Sequence, residues 1–211
     1  MNAEGAVLHG NLIIPRGAKG LVVFAHGSGS SRHSPRNRFV AGELRGYGLA
    51  TLLFDLLTME EEADDLITRE QRFNIALLAH RLISVTDWLK ADDATRRLKI
   101  GYFGASTGAA AALAAAAERV DVIGAVVSRG GRPDLAASYL GRVKAPTLLI
   151  VGGKDFLVIE MNRHALERIT AEKKMKIVPH ATHLFEEPGA MENVASLASD
   201  WFIRHLVLDN R

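Results

Sequence analysis

The chain has 211 residues, 48% of them hydrophobic, which suffices for one domain with a sizeable core. Lysine and arginine number 26 against 24 aspartates and glutamates, a net charge of +2, so the charge balance points away from nucleic acid as a partner. There is no cysteine, which excludes disulfides, thiolate metal sites and a cysteine nucleophile together.

The first residues, Met1-Asn2-Ala3-Glu4-Gly5, lack the basic and apolar regions of a signal peptide. The alanine run from Ala109 is too short and too weakly apolar to span a bilayer. The expectation is a soluble cytoplasmic protein with no membrane partner.

In chain order, residues 7–14 read as a short strand that ends at Pro15 and a turn at Gly17. Residues 20–26, Gly-Leu-Val-Val-Phe-Ala-His, form a continuous β-branched run of the kind buried on both faces. It opens into Gly27-Ser28-Gly29-Ser30-Ser31, and a helix is predicted over 35–46, followed by a strand over 49–55. Residues 58–65 read as an acidic loop, in which Glu60-Glu61-Glu62 also suits a solvated helix start. Residues 69–90 carry helical spacing through Phe73, Leu77, Leu82, Val85 and Leu89.

A strand is predicted over 98–103, an alanine-rich helix over 109–119 and a buried strand over 122–128. Arg129-Gly130-Gly131-Arg132-Pro133 then turns into a short helix. Strands over 146–151 and 175–178 flank a helix over 160–169, and a last helix after Pro188 carries an apolar stripe from Val194 to Leu206. This alternation predicts a single α/β domain over 1–211, doubly wound, with a mostly parallel sheet and helices on both faces. The segment between the strands at Val122 and Pro146 leaves no room for a cap domain, so the site belongs in an open cleft at the carboxyl ends of the strands.

The chemistry centres on Gly104-Ala105-Ser106-Thr107-Gly108, which follows a strand and precedes a helix. That context is what gives Gly-x-Ser-x-Gly meaning as a nucleophile elbow; the plain alternative is a Gly-Ser turn before a buried helix. A serine hydroxyl needs a base, a group that orients the base and an oxyanion site. Asp155 follows a buried strand through Gly152-Gly153-Lys154, in the place for the orienting acid, with a turn or helix cap as its plain role. Asp134 and Asp55 come too early in the chain order to be preferred. His183 and His180 both lie just past the last strand, and chain order alone leaves them undecided.

The oxyanion donors expected are the amides of Ser28, with Gly29 as the alternative, and of Thr107. Gly27-x-Gly29 also resembles a phosphate loop, but Arg32 stands where a dinucleotide fingerprint has its third glycine. His180-x-x-His183 lacks a third ligand, so neither metal nor cofactor is expected. Two basic clusters, Arg32 with Arg36 and Arg38, and Arg129 with Arg132, border the predicted cleft. They read either as surface ion pairs or as contacts to a substrate carboxylate or phosphate.

Taken together, His26-Gly27-Ser28-Gly29-Ser30-Ser31, Gly104-Ala105-Ser106-Thr107-Gly108, Gly152-Gly153-Lys154-Asp155 and Ala181-Thr182-His183-Leu184-Phe185 resemble the α/β-hydrolase superfamily. Within it the pattern is similar to the dienelactone hydrolase family, and to small hydrolases that also occur fused to phosphoribosyltransferases. The resemblance implies a triad of Ser106, Asp155 and His183, and it selects His183 over His180. True dienelactone hydrolases use a cysteine nucleophile and carry a glutamate near the oxyanion strand, where this chain has Ser106 and His26. What carries over is serine-dependent hydrolysis of small carboxylic esters or lactones through an acyl-serine. A non-catalytic binding module, or a hydrolase of amides or thioesters, is the alternative. Whether the protein forms a homodimer is left open.

Overall fold

Strand-forming runs with no polar interruption become the centre of a sheet in the computed structural model, which describes residues 1–3 and 5–207. A two-stranded antiparallel ribbon, β1 (Asn2–Ala3) and β2 (Ala6–Val7), precedes β3 (Gly10–Ile13) and β4 (Gly20–Ala25). Then follow α1 (Pro35–Gly46), β5 (Leu49–Phe54), α2 (Met59–Thr68), α3 (Ile75–Ala91) and β6 (Lys99–Ala105). The remainder is α4 (Thr107–Glu118), β7 (Ile123–Arg129), β8 (Thr147–Gly152), α5 (Phe156–Arg168), β9 (Lys173–Val178) and α6 (Ala190–Phe202).

Seven strands form the main sheet in the order β3-β5-β4-β6-β7-β8-β9. Only β3 runs antiparallel, against β5; every other neighbouring pair is parallel. Side chains alternate across it as the pleat requires. Leu21, Val23 and Ala25 of β4 face the core under α3 and α4, whereas Val22 and Phe24 face the core under α1 and α6. Helices therefore cover both faces, as the sequence predicts. Between β7 and β8 the chain makes only two 3-10 turns, Pro133–Ala136 and Leu140–Arg142.

Three local expectations are corrected. The stretch read as an acidic loop is helix α2. Thr58 caps it, accepting from the Glu61 N–H, while the Glu61 carboxylate accepts from the Thr58 N–H. The helix expected from residue 69 instead starts at Ile75, because Arg69 takes a left-handed φ of 59° and Gln71–Phe73 forms a 3-10 turn. The strand expected over 7–14 divides into β2 and β3. Among the described residues no helix is long and apolar enough to cross a membrane.

Candidate active site

β6 ends at Ala105 and α4 begins at Thr107, so Ser106 alone makes the turn between them. It adopts φ 51° and ψ −120°, a conformation that costs an L-residue about 1–3 kcal/mol and survives only where its surroundings dictate it. Those surroundings are the two glycines of the motif. A Cβ at Gly104 would lie 2.4 Å from the Ala109 Cα, and one at Gly108 would lie 2.3 Å from the Ala25 carbonyl oxygen. The Ser106 N–H donates to the Arg129 carbonyl at 3.2 Å, and the Ser106 carbonyl accepts from the Arg132 N–H at 3.1 Å. The hydroxyl does not cap α4; Ser106 instead lines an open cleft.

His183 lines the same cleft, brought there by main-chain bonds between two loops. The Gly153 N–H donates to the Val178 carbonyl and the Lys154 N–H to the Ala181 carbonyl, both at 2.9 Å. The contact is so close that a Cβ at Gly152 would lie 2.5 Å from the carbonyls of Ala181 and Thr182. His183 Nδ1 comes to 2.6 Å from Asp155 Oδ2. Because a carboxylate only accepts, Nδ1 carries the proton and Nε2 is left as the acceptor on the ring. Asp155 stands at the N-cap of α5 but makes no capping bond with its side chain. His180 takes a left-handed φ of 62° and is exposed; it is not the histidine paired with Asp155.

The oxyanion side differs from expectation in one respect. Thr107 is the first residue of α4, so its amide has no acceptor within the helix, and it sits at the positive end of the helix dipole. The Ser28 amide, expected to be free, donates to Thr107 Oγ1 at 3.0 Å, and the two hydroxyls lie 2.9 Å apart. It becomes available to another acceptor only when the Thr107 hydroxyl turns away. Gly27 brings this loop against Ser106: a Cβ there would lie 3.1 Å from the Ser106 Cβ.

His26 stabilises the start of that loop. Its Nε2 accepts from the Leu56 N–H at 3.1 Å, so Nδ1 is the protonated nitrogen, 3.0 Å from the Gly27 carbonyl. Burial pushes the imidazole below its ordinary pKa and keeps it neutral. A second, more apolar hollow adjoins the same loop, lined by Ser28, Thr107, Leu56, Leu57, Leu66 and Leu78. Sequence reading misses it, because Leu66 comes from the helix read as a loop.

The model of the dienelactone hydrolase family matches residues 8–206, nearly the whole chain. The chain belongs to that family. A crystal structure of a dienelactone hydrolase from Anabaena variabilis ATCC 29413 superposes with a TM-score of 0.96 at 62% identity, covering 97% of this chain and 95% of that one. Est1E from Butyrivibrio proteoclasticus shares the fold at 16% identity and a TM-score of 0.81, covering 97% and 96%. Two Mycobacterium tuberculosis relatives, from strains CDC 1551 and H37Rv, are each 60% identical over 197 residues. Their names assign them provisionally as phosphoribosyl transferases. The match covers 93% of this chain but 44% of theirs, so the chain spans less than half the length of these relatives. Membership of this family, on this fold, supports hydrolysis as the chemistry of the cleft.

Within this family member the two predicted substrate arginines part company. Arg132 forms a bidentate pair with Asp134 at 2.9 and 2.7 Å, and it is not among the residues lining the cleft. The carboxylate two residues on has claimed it. Arg129 lines the cleft beside Ser106 and is only 7% exposed; its Nε is buried with no hydrogen-bond partner. Its guanidinium carbon lies 5.7 Å from the centre of the Phe185 ring. Burial, then the nearby Arg36 charge, pushes its pKa down to about 10, which leaves it charged at neutral pH. Arg32 is paired with Asp55, and Arg36 reaches Glu186 at 3.2 Å. Arg38 lines a separate surface hollow with Phe39 and Arg45.

Proposed function

We propose that this chain is a hydrolase that cleaves small carboxylic esters or lactones with Ser106 as nucleophile. The observation that carries the reading is a strained serine sharing one cleft with a histidine whose Nδ1 is held by a carboxylate at 2.6 Å. Ser106 Oγ attacks the carbonyl carbon as its proton passes to His183 Nε2. Asp155 keeps the imidazole in the required tautomer and stabilises the imidazolium that forms. The amides of Thr107 and Ser28 stabilise the oxyanion, Ser28 being released as the Thr107 hydroxyl rotates toward another partner. The imidazolium protonates the departing alkoxide, leaving an acyl-Ser106. Water, deprotonated by the same nitrogen, then releases the acid and restores the serine.

His183 is 40% exposed at its side chain, so water has direct access for the second step. The turns between β7 and β8 bring no lid over the cleft, which favours short acyl groups over long ones. The test is hydrolysis of p-nitrophenyl esters from acetate to octanoate, with Ser106→Ala alongside. Activity highest on the short esters and lost by at least a thousandfold in the variant is expected. Activity that survives the substitution would remove Ser106 from the mechanism. Covalent labelling of Ser106 by a fluorophosphonate distinguishes an enzyme from a binding module, which stays unlabelled.

A further inference from the structure

A buried guanidinium without a carboxylate is unfavourable in a resting protein, because burial removes its water and nothing replaces it. Arg129 is in that position: it is 7% exposed, its Nε is unpartnered, and among the described residues it forms no ion pair. The Phe185 ring offers only a weak π-face contact, with the ring centre 5.7 Å away. Arg36, which lines the same cleft, adds to the problem, since it is also a cation and its own partner is the exposed Glu186. Ser34 and Asn37, from the cap and first turn of the twelve-residue α1, line the cleft with it, where the helix dipole adds further positive potential. One guanidinium is enough for a carboxylate. Two, together with a helix N-terminus, match an anion with more charge and three acceptor oxygens.

We propose that the cleft is built for an ester or lactone that carries a phosphate-type oxyanion, anchored by Arg129, with Arg36 and the N-terminus of α1 in support. This rests on the serine hydrolase reading of the same cleft and names the class of its substrate. The anion binds beside Ser106, so it belongs either to the acyl part or to the alcohol part of the ester, within a few bonds of the carbonyl.

Two matched series decide between those sites, each followed by acid release. On the acyl side they are methyl 3-phosphonopropanoate, monomethyl succinate and methyl pentanoate. On the alcohol side they are 2-acetoxyethyl phosphate, 3-acetoxypropanoate and 2-methoxyethyl acetate. In one series the phosphorus-bearing compound is expected to exceed the neutral one at least tenfold in kcat/KM, mainly through KM. Arg129→Leu is expected to bring that ratio close to one and to weaken binding of inorganic phosphate at least tenfold by calorimetry. The variant removes an unpaired buried charge, so its melting temperature should hold or rise; a purely structural arginine would lower it. If it does not fold, Arg129→Lys and phosphate binding to the unaltered protein carry the same test. Preference for the carboxylate overturns the phosphate assignment. Equal or higher rates with the neutral esters, without phosphate binding, overturn the anion site. Fluorophosphonate labelling of Ser106 alongside such a result leaves the hydrolase reading standing. Phosphate binding that depends on Arg129 in a protein that resists labelling keeps the anion site and overturns the hydrolase reading.

Discussion

Gly108 shows how little freedom the turn at Ser106 allows. Its missing side chain lets the start of α4 approach β4 until the Ala25 and His26 carbonyls lie 2.3 and 2.4 Å from where a Cβ would be. Those atoms are backbone and cannot rotate aside. Gly108→Ala should therefore destabilise the fold by about 3 kcal/mol, at the upper end for overpacking, and disturb Ser106 before the protein unfolds. A urea titration read beside fluorophosphonate labelling checks both; an unchanged midpoint would show that α4 can move outward without loss. His26 supplies a second residue-scale prediction. Burial holds its pKa below the ordinary 6.5, so below pH 6.5 the unfolded chain binds a proton that the folded chain refuses. Stability is then lost as pH falls from 6.5. His205, also lowered by burial, acts in the same direction. His26→Gln should show a smaller fall in melting temperature between pH 7 and 5 than the unaltered protein. An identical fall in both would place the acid sensitivity elsewhere.

At the scale of elements, α2 and the 3-10 turn after it brace the loop that carries Ser28. The Asp65 carboxylate, buried, accepts from the Arg72 N–H at 3.0 Å and from its Nε at 2.5 Å. Burial alone would raise the Asp65 pKa, but the hydrogen bonds from Arg72 outweigh it and hold the carboxyl below its usual range. The Arg72 carbonyl in turn lies 3.4 Å from Ser28 Oγ. Asp65→Asn should cost roughly 2 kcal/mol, less than a fully buried pair because the Arg72 side chain keeps some solvent contact. It should also lower ester turnover by loosening Ser28. Denaturant midpoints and kcat measured together check this; a stability loss without any change in kcat would separate the brace from the loop. The capping pair that begins α2, Thr58 with Glu61, is visible in the sequence, but the acidic run around it looks equally like a solvated loop. The break at Arg69 is not visible, since neither glycine nor proline marks that left-handed residue.

At the scale of the whole molecule, the sheet is legible because its central strands are largely apolar and rich in strand formers, a pattern that burial on both faces explains. The antiparallel direction of β3 is not, because Gly10–Ile13 has no periodicity to report which way it runs. The elbow is legible for a local reason, its glycines being required by contacts within a few residues. The fate of Arg129 is not local. Arg132 has Asp134 two residues on, a partner the sequence displays, whereas only the folded chain leaves Arg129 buried beside the cleft without one. The engaged Ser28 amide is likewise a contact over 79 positions.

The loop that holds His183 is bonded to the loop that holds Asp155, through main-chain contacts in which the elbow takes no part. In the proposed mechanism, proton acceptor and orienting acid thus form one module, and the attacking atom belongs to another. On that reading a Ser106→Cys exchange leaves the first module intact. Sulfur in place of oxygen would meet the same histidine and carboxylate, already paired at 2.6 Å.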